Sequence, residues 1–138
     1  MTNFVLDCSI TMTWCFEDEA TTYTEQVLDS LSHGFATVPA LWSYEVANVL
    51  LVAERKKKIS PADSSHFLDL LSKLPITILE ENHLQFKETL MNLGRTYRLS
   101  AYDAAYLNLA MNQGLAIATL DDELRNASKN AGVKLYKV

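Results

Sequence analysis

Cysteine is scarce in this chain of 138 residues, with Cys8 and Cys15 alone. That excludes a disulfide-stapled scaffold. The pair cannot build a four-ligand zinc site without histidines nearby, and His33, His66 and His83 show no ligand spacing. These histidines read as ordinary surface or loop residues. Four glycines and three prolines leave little room for disorder or a flexible linker. No glycine-rich phosphate loop is present, which excludes a nucleotide-binding ATPase or dehydrogenase. No apolar run reaches the roughly 20 residues needed to cross a bilayer, so no membrane association is expected. Positive charge is also short. The formal net charge is −5, which argues against a protein held on nucleic acid by charge alone.

Apolar residues are plentiful, at 49%. A chain of this length buries roughly two-thirds of its unfolded surface and needs no staples. One domain over residues 1–138 is expected. The thiols read as reduced and the protein as cytoplasmic. The first residues run straight into strand-like Phe4-Val5-Leu6, so no signal peptide is expected.

Residues 3–7 read as a short buried strand ending at Asp7, followed by a helix through Phe16 with Ser9 as its cap. A helix over 21–31 and a strand over 35–38, closed by Pro39, come next. A long helix is expected over 41–57. Ser60-Pro61-Ala62-Asp63 is a capping signal for a helix to about Lys73. A strand over 75–79, an amphipathic helix over 83–97 and a helix from Ser100 through Met111 follow. The chain closes with a strand over 115–119, a helix over 121–130 ended by Gly132, and a strand over 133–136. Strands alternating with helices predict an α/β fold with a mainly parallel sheet and helices on both faces. Ligands of such sheets bind beyond the carboxyl ends of the strands.

Against this pattern, four acids stand out: Asp7, Glu45, Asp103 and Asp121. Each is set in largely apolar sequence, where a lone carboxylate is costly. Asp7 follows a buried strand, and Ser9 is the better-placed cap. Glu45 sits in the apolar stripe of residues 41, 45, 49 and 52. Asp103 has the strongest structural explanation, because Ser100 to Asp103 has capping-box spacing. Ser60 to Asp63 has the same spacing and reads as structural. Asp121 has an N-cap explanation too, and physics alone does not separate it from Asp122. Asp122 and Glu123 read as first-turn charges favouring the helix dipole. Four converging carboxylates would repel unless a cation neutralised them. The set therefore points to Mg²⁺ or Mn²⁺ and to chemistry on a phosphodiester.

The segments Val5-Leu6-Asp7-Cys8-Ser9, Glu45-Val46-Ala47-Asn48-Val49-Leu50, Ser100-Ala101-Tyr102-Asp103-Ala104-Ala105-Tyr106-Leu107 and Ala118-Thr119-Leu120-Asp121-Asp122-Glu123-Leu124 resemble the ordered motifs of PIN-domain ribonucleases. The VapC-type toxins of toxin–antitoxin pairs are the branch they resemble most. The resemblance implies a three-layer α/β/α sandwich and a metal-dependent endoribonuclease. It implies that Asp7, Glu45, Asp103 and Asp121 are the catalytic, metal-binding acids, with Ser9 and Thr119 as supporting hydroxyls. Leu124 fits the apolar place of the last motif, which selects Asp121 over Asp122. The resemblance further implies an RNA substrate, a homodimer, and an antitoxin protein that inserts a segment into the acidic groove. Position 8 departs from the small or hydroxylated residues common there, and no loss of activity is expected from Cys8. Residues 55–98 match no motif and leave the RNA target open.

Arg55-Lys56-Lys57-Lys58 is the only basic run. It reads as cations at a helix C-terminus, or alternatively as phosphate steering toward the groove. Arg95 and Arg98 flank the helix before Asp103 and are candidates to reach substrate backbone. The rival class is a non-catalytic PIN-like or receiver-like α/β interaction module. A receiver wants an acidic pair after its first strand, and only Asp7 follows this one.

Overall fold

The computed structural model describes residues 2–81 and 83–138. Met1 and Asn82, inside the single domain expected from the sequence, lie outside the described residues. Phe4, Val5 and Leu6 are fully buried, as a parallel strand covered on both faces requires. They belong to β1 (Thr2–Leu6), which pairs in parallel with β2 (Gly34–Pro39) and β4 (Ile117–Ala118). Beyond β2 lies β3 (Ile76–Leu79), so the strand order is β3-β2-β1-β4. Gly34 faces Thr2 so closely that a Cβ there would lie 2.5 Å from the Thr2 carbonyl oxygen.

Helices α1 (Cys8–Thr13) and α2 (Thr22–Ser30) link β1 to β2. Helices α3 (Leu41–Arg55) and α4 (Pro61–Ser72) link β2 to β3. Helices α5 (Phe86–Tyr97) and α6 (Ala101–Gln113) carry the chain back to β4, and α7 (Asp122–Asn130) follows. The sheet first grows from β1 toward β3, then returns past β1 to β4. Right-handed crossovers then put α5 and α6 on the face opposite the earlier helices. Accordingly α1 packs on α3, while α6 packs on β1, β2, α5 and α7. This is the α/β/α sandwich expected from the sequence. Its core includes Phe4, Leu6, Ile10, Leu107, Leu109, Ile117 and Leu124, all almost fully buried. Each such side chain contributes about 1.5–3 kcal/mol by leaving water.

Several local expectations need correction: α3 ends at Arg55 and not at residue 57, and α5 begins at Phe86 and not at residue 83. Helix α1 stops at Thr13, short of Phe16. Thr13 Oγ1 donates to the Ile10 carbonyl at 2.7 Å, a local bond that competes with helix continuation. The strand over 115–119 shrinks to Ile117–Ala118, because the Leu115 amide is spent on the Ala110 carbonyl closing α6. The expected strand over 133–136 is reduced to one parallel bridge, Ile117 to Leu135, since so short a β4 offers no longer ladder. Tyr136 still stacks on Phe4, with ring centroids 3.9 Å apart. Among the described residues no helix is long and apolar enough to cross a membrane.

Candidate active site

The strand order reverses between β1 and β4, and the chain leaves both strands into one cleft of about 830 Å³. Such a reversal opens a crevice at the carboxyl ends of the strands. Asp7, Glu45, Asp103 and Asp121 all line it. Asp7 is delivered by the end of β1, Glu45 by the first half of α3, Asp103 by the first turn of α6, and Asp121 by the residue that opens α7.

Asp7 is only 5% exposed. It occupies the N-cap position of α1, which the sequence suggested for Ser9, yet its side chain makes no cap bond. Instead its Oδ2 accepts from Ser9 Oγ at 2.6 Å and from Thr119 Oγ1 at 2.7 Å. Each hydroxyl in turn accepts a backbone amide: Leu120 N–H on Ser9 at 3.0 Å, Asp121 N–H on Thr119 at 3.0 Å. Each hydroxyl has one proton, and both point at Asp7. The 3.4 Å approach of Ser9 Oγ to Thr119 Oγ1 is therefore a contact and not a third bond. The two supporting hydroxyls fix Asp7 and tie the loop after β4 to the start of α1. Burial pushes the Asp7 carboxyl above its ordinary value; the two hydroxyls oppose this, and the Asp121 charge adds to it.

Glu45 is half-buried, and its Oε1 accepts from the hydroxyl of Tyr106 at 2.6 Å. Burial raises the Glu45 carboxyl, the Tyr106 bond lowers it, and the Asp7 charge raises it again. Tyr106 itself is fully buried on α6, and its hydroxyl is pushed far up by burial and by the charges of Asp7 and Glu45. Sequence reasoning assigned Tyr106 no role. Its position three residues after Asp103 was the available signal, because that spacing keeps both on neighbouring faces of α6.

The capping explanation of Asp103 fails on geometry. At Ser60 and Asp63 both bonds of the capping box form, Asp63 N–H to Ser60 Oγ and Ser60 N–H to Asp63 Oδ2. At Ser100 and Asp103 only the first forms, at 3.1 Å. The Asp103 carboxyl turns to Asp121 and is pushed up to about 7 by burial, by Asp121, and by the charges of Asp7 and Glu45. Asp121 does cap α7, with Oδ1 accepting the Glu123 amide at 3.0 Å. The cap explanation therefore holds for Asp121, alongside its place in the cleft. Carboxylate oxygens of Asp103, Asp121 and Glu123 lie within 4.8 Å of one another. Asp7 and Glu45 share the cleft but stand outside that tight group. Glu123 was read as a first-turn charge; it is one, and it also joins the acids. Asp122 is exposed and does not join them.

Among the described residues, none of these acids forms a salt bridge. A 5%-exposed carboxylate with no salt-bridge partner among the described residues, beside others driven upward first by burial and then by one another's charge, suits a hard divalent ion with oxygen ligands. The histidines are exposed and take no part in this donor set. Cys8, beside Asp7, is buried and its thiol is pushed up to about 12 by burial and by Glu45 and Asp7, so it is no nucleophile. Lys56 and Lys58 line the same cleft. Arg95 and Arg98 do not.

A PIN domain family model matches residues 4–130. Among curated proteins none matches the chain in sequence. Several solved structures share its fold. PAE2754 from Pyrobaculum aerophilum superposes with a TM-score of 0.70 at 22% identity, covering 91% of this chain and 86% of that one. VapBC2 from Rickettsia felis, bound to a DNA fragment from its promoter, gives 0.69 at 10% identity, covering 98% of each chain. A toxin–antitoxin complex from Klebsiella pneumoniae gives 0.67 at 17% identity, covering 98% and 99%.

Proposed function

This chain belongs to the PIN domain family, and on that premise we propose that it is a metal-dependent endoribonuclease and the toxin of a toxin–antitoxin pair. One observation carries the reading: four carboxylates from four separate segments line one cleft at the carboxyl ends of β1 and β4. Asp7, Glu45, Asp103 and Asp121 would hold Mg²⁺ or Mn²⁺, the ions that all-oxygen donors suit. When bound, the ion supplies positive charge at a phosphoryl oxygen and acidifies a water at neutral pH.

The chain's own residues prepare for this. Ser9 and Thr119 hold Asp7 in place before any ligand arrives, and Tyr106 does the same for Glu45. Positioning of this kind spares the site a reorganisation during the reaction. With its carboxyl pushed up to about 7, Asp103 carries a proton in part at neutral pH and releases it when a cation takes its place. In the hydrolysis a water oxygen bonds to phosphorus, one P–O ester bond breaks, and the leaving oxygen takes up a proton. The partners proposed with this reading are an RNA substrate, an antitoxin protein that occupies the acidic cleft, and a second copy of the chain in a homodimer; the setting is the cytoplasm. The toxin–antitoxin complexes among the fold neighbours support the antitoxin.

The test is cleavage of total cellular RNA by the parent and by Asp7→Asn and Asp103→Asn proteins. Both variants should stay folded by circular dichroism and lose cleavage in Mg²⁺ or Mn²⁺. Parental rates in both variants would overturn the assignment.

A further inference from the structure

We propose that Lys56 and Lys58 form a second phosphate-binding point in the same cleft, gripping the RNA backbone away from the bond that is cut. The proposal rests on the ribonuclease reading and adds to it where the substrate chain runs. Of the basic run at residues 55–58, only Lys56 and Lys58 line the cleft. The backbone explains the alternation. Lys57 has φ 58°, in the left-handed region that non-glycine residues seldom adopt. The Lys57 amide bonds the Glu54 carbonyl and the Lys58 amide bonds the Ala53 carbonyl, both at 2.9 Å. Together these bonds close α3 in a Schellman turn, where glycine is the usual left-handed residue. Arg98, with φ 56°, closes α5 the same way outside the cleft, so the turn fixes which lysines face the cleft and is not itself a sign of a ligand.

Two further facts point to a ligand. Among the described residues neither lysine forms a salt bridge, although Asp18 and Glu19 share the cleft. Glu45 also lies about one turn into α3, while Lys56 caps its C-terminus. Eleven residues of helix put them about 16 Å apart along its axis. Nucleotides stacked at about 3.4 Å each would need about five to cover that distance, and a stretched strand fewer. The cleft thus offers the acids for the phosphate under attack and the lysines for one a few nucleotides away. A phosphate grip of this kind adds affinity without reading sequence.

Two assays on this chain of 138 residues test this. The first measures binding of a fluorescein-labelled single-stranded RNA of about 12 nucleotides by anisotropy, in EDTA, across a KCl series. The Lys56→Gln/Lys58→Gln protein should bind about tenfold more weakly at low salt, and its log K against log salt slope should shrink by about 1.4. Lys57→Gln removes a charge from the same run and should leave the slope unchanged. Asp18→Asn/Glu19→Gln should tighten binding. The second compares kcat/KM in Mn²⁺ for that RNA and for a trinucleotide too short to reach the lysines; only the longer one should suffer from the double substitution. An unaltered slope, or an equal effect from Lys57→Gln, overturns the grip. A parent that binds with the expected lysine dependence and cuts nothing leaves the grip standing and overturns the ribonuclease reading.

Discussion

Thr119 Oγ1 donates to Asp7 Oδ2 at 2.7 Å, joining residues 112 positions apart. The same hydroxyl accepts the Asp121 amide, so one side chain orients an acid from β1 and the backbone of an acid beyond β4. Thr119→Val keeps the shape and removes both bonds. We expect a stability loss of about 1–3 kcal/mol, the cost of buried polar groups left unpaired. RNA cleavage should fall about 10- to 100-fold, as when a partner behind metal-binding residues is lost. Thr119→Ser should recover most of both. Urea unfolding midpoints and single-turnover rates check this.

Tyr106→Phe isolates the bond to Glu45, because the ring is fully buried and its packing is retained. The fold should lose about 1 kcal/mol. Calorimetric Mn²⁺ affinity should fall about tenfold, since Glu45 loses the donor that fixes its carboxylate. An unchanged affinity would place Glu45 outside the ion's shell.

The acids also set a pH dependence. Asp103 is raised from an ordinary value of 3.8 to about 7, and Asp7 and Glu45 are raised too. In that window the folded state binds more protons than the unfolded state, so stability falls as pH rises from about 4 to about 7. In EDTA the urea midpoint should therefore drop across this range. Asp103→Asn should flatten the curve and raise the midpoint at pH 7.5. Mn²⁺ should stabilise the parent more at pH 7.5 than at pH 5, because protons compete for the same oxygens.

Asp63 and Asp103 share a sequence signature and should part company in experiment. Asp63 returns a bond to its capping serine and Asp103 does not. Asp63→Ala should lower the melting temperature and leave cleavage intact. Asp103→Ala should abolish cleavage with no loss of melting temperature in EDTA.

Lys57 supplies a stability prediction of its own. A left-handed non-glycine residue costs roughly 1–2 kcal/mol. Lys57→Gly should offset part of this and stabilise the protein by about 1 kcal/mol, read from urea unfolding, with RNA affinity unchanged.

The alternation of strands and helices and Asp7 could be read directly from the residues, because a buried parallel strand is a run of apolar side chains and an acid at its end is conspicuous; choosing Asp103 and Asp121 over their capping explanations needed the family resemblance. Other features could not. Identical Ser-x-x-Asp spacings hid different carboxylate directions at Asp63 and Asp103, since a third partner, Asp121, arrives from elsewhere in the chain. Ser9 looked like a cap, but Asp7 and Leu120 claim its hydroxyl through tertiary contacts. Tyr106 and Glu123 are ordinary in a helix sequence and gain meaning only from what stands opposite them. The strand expected near the C-terminus needed a longer β4 than the chain supplies.

The order β3-β2-β1-β4 seats β3 at the margin of the sheet, two strands from the crevice between β1 and β4. No described residue from Pro61 to Tyr97 lines that cleft, so a change there reaches the acids only through packing, chiefly that of α5 on α6, the helix that carries Asp103 and Tyr106.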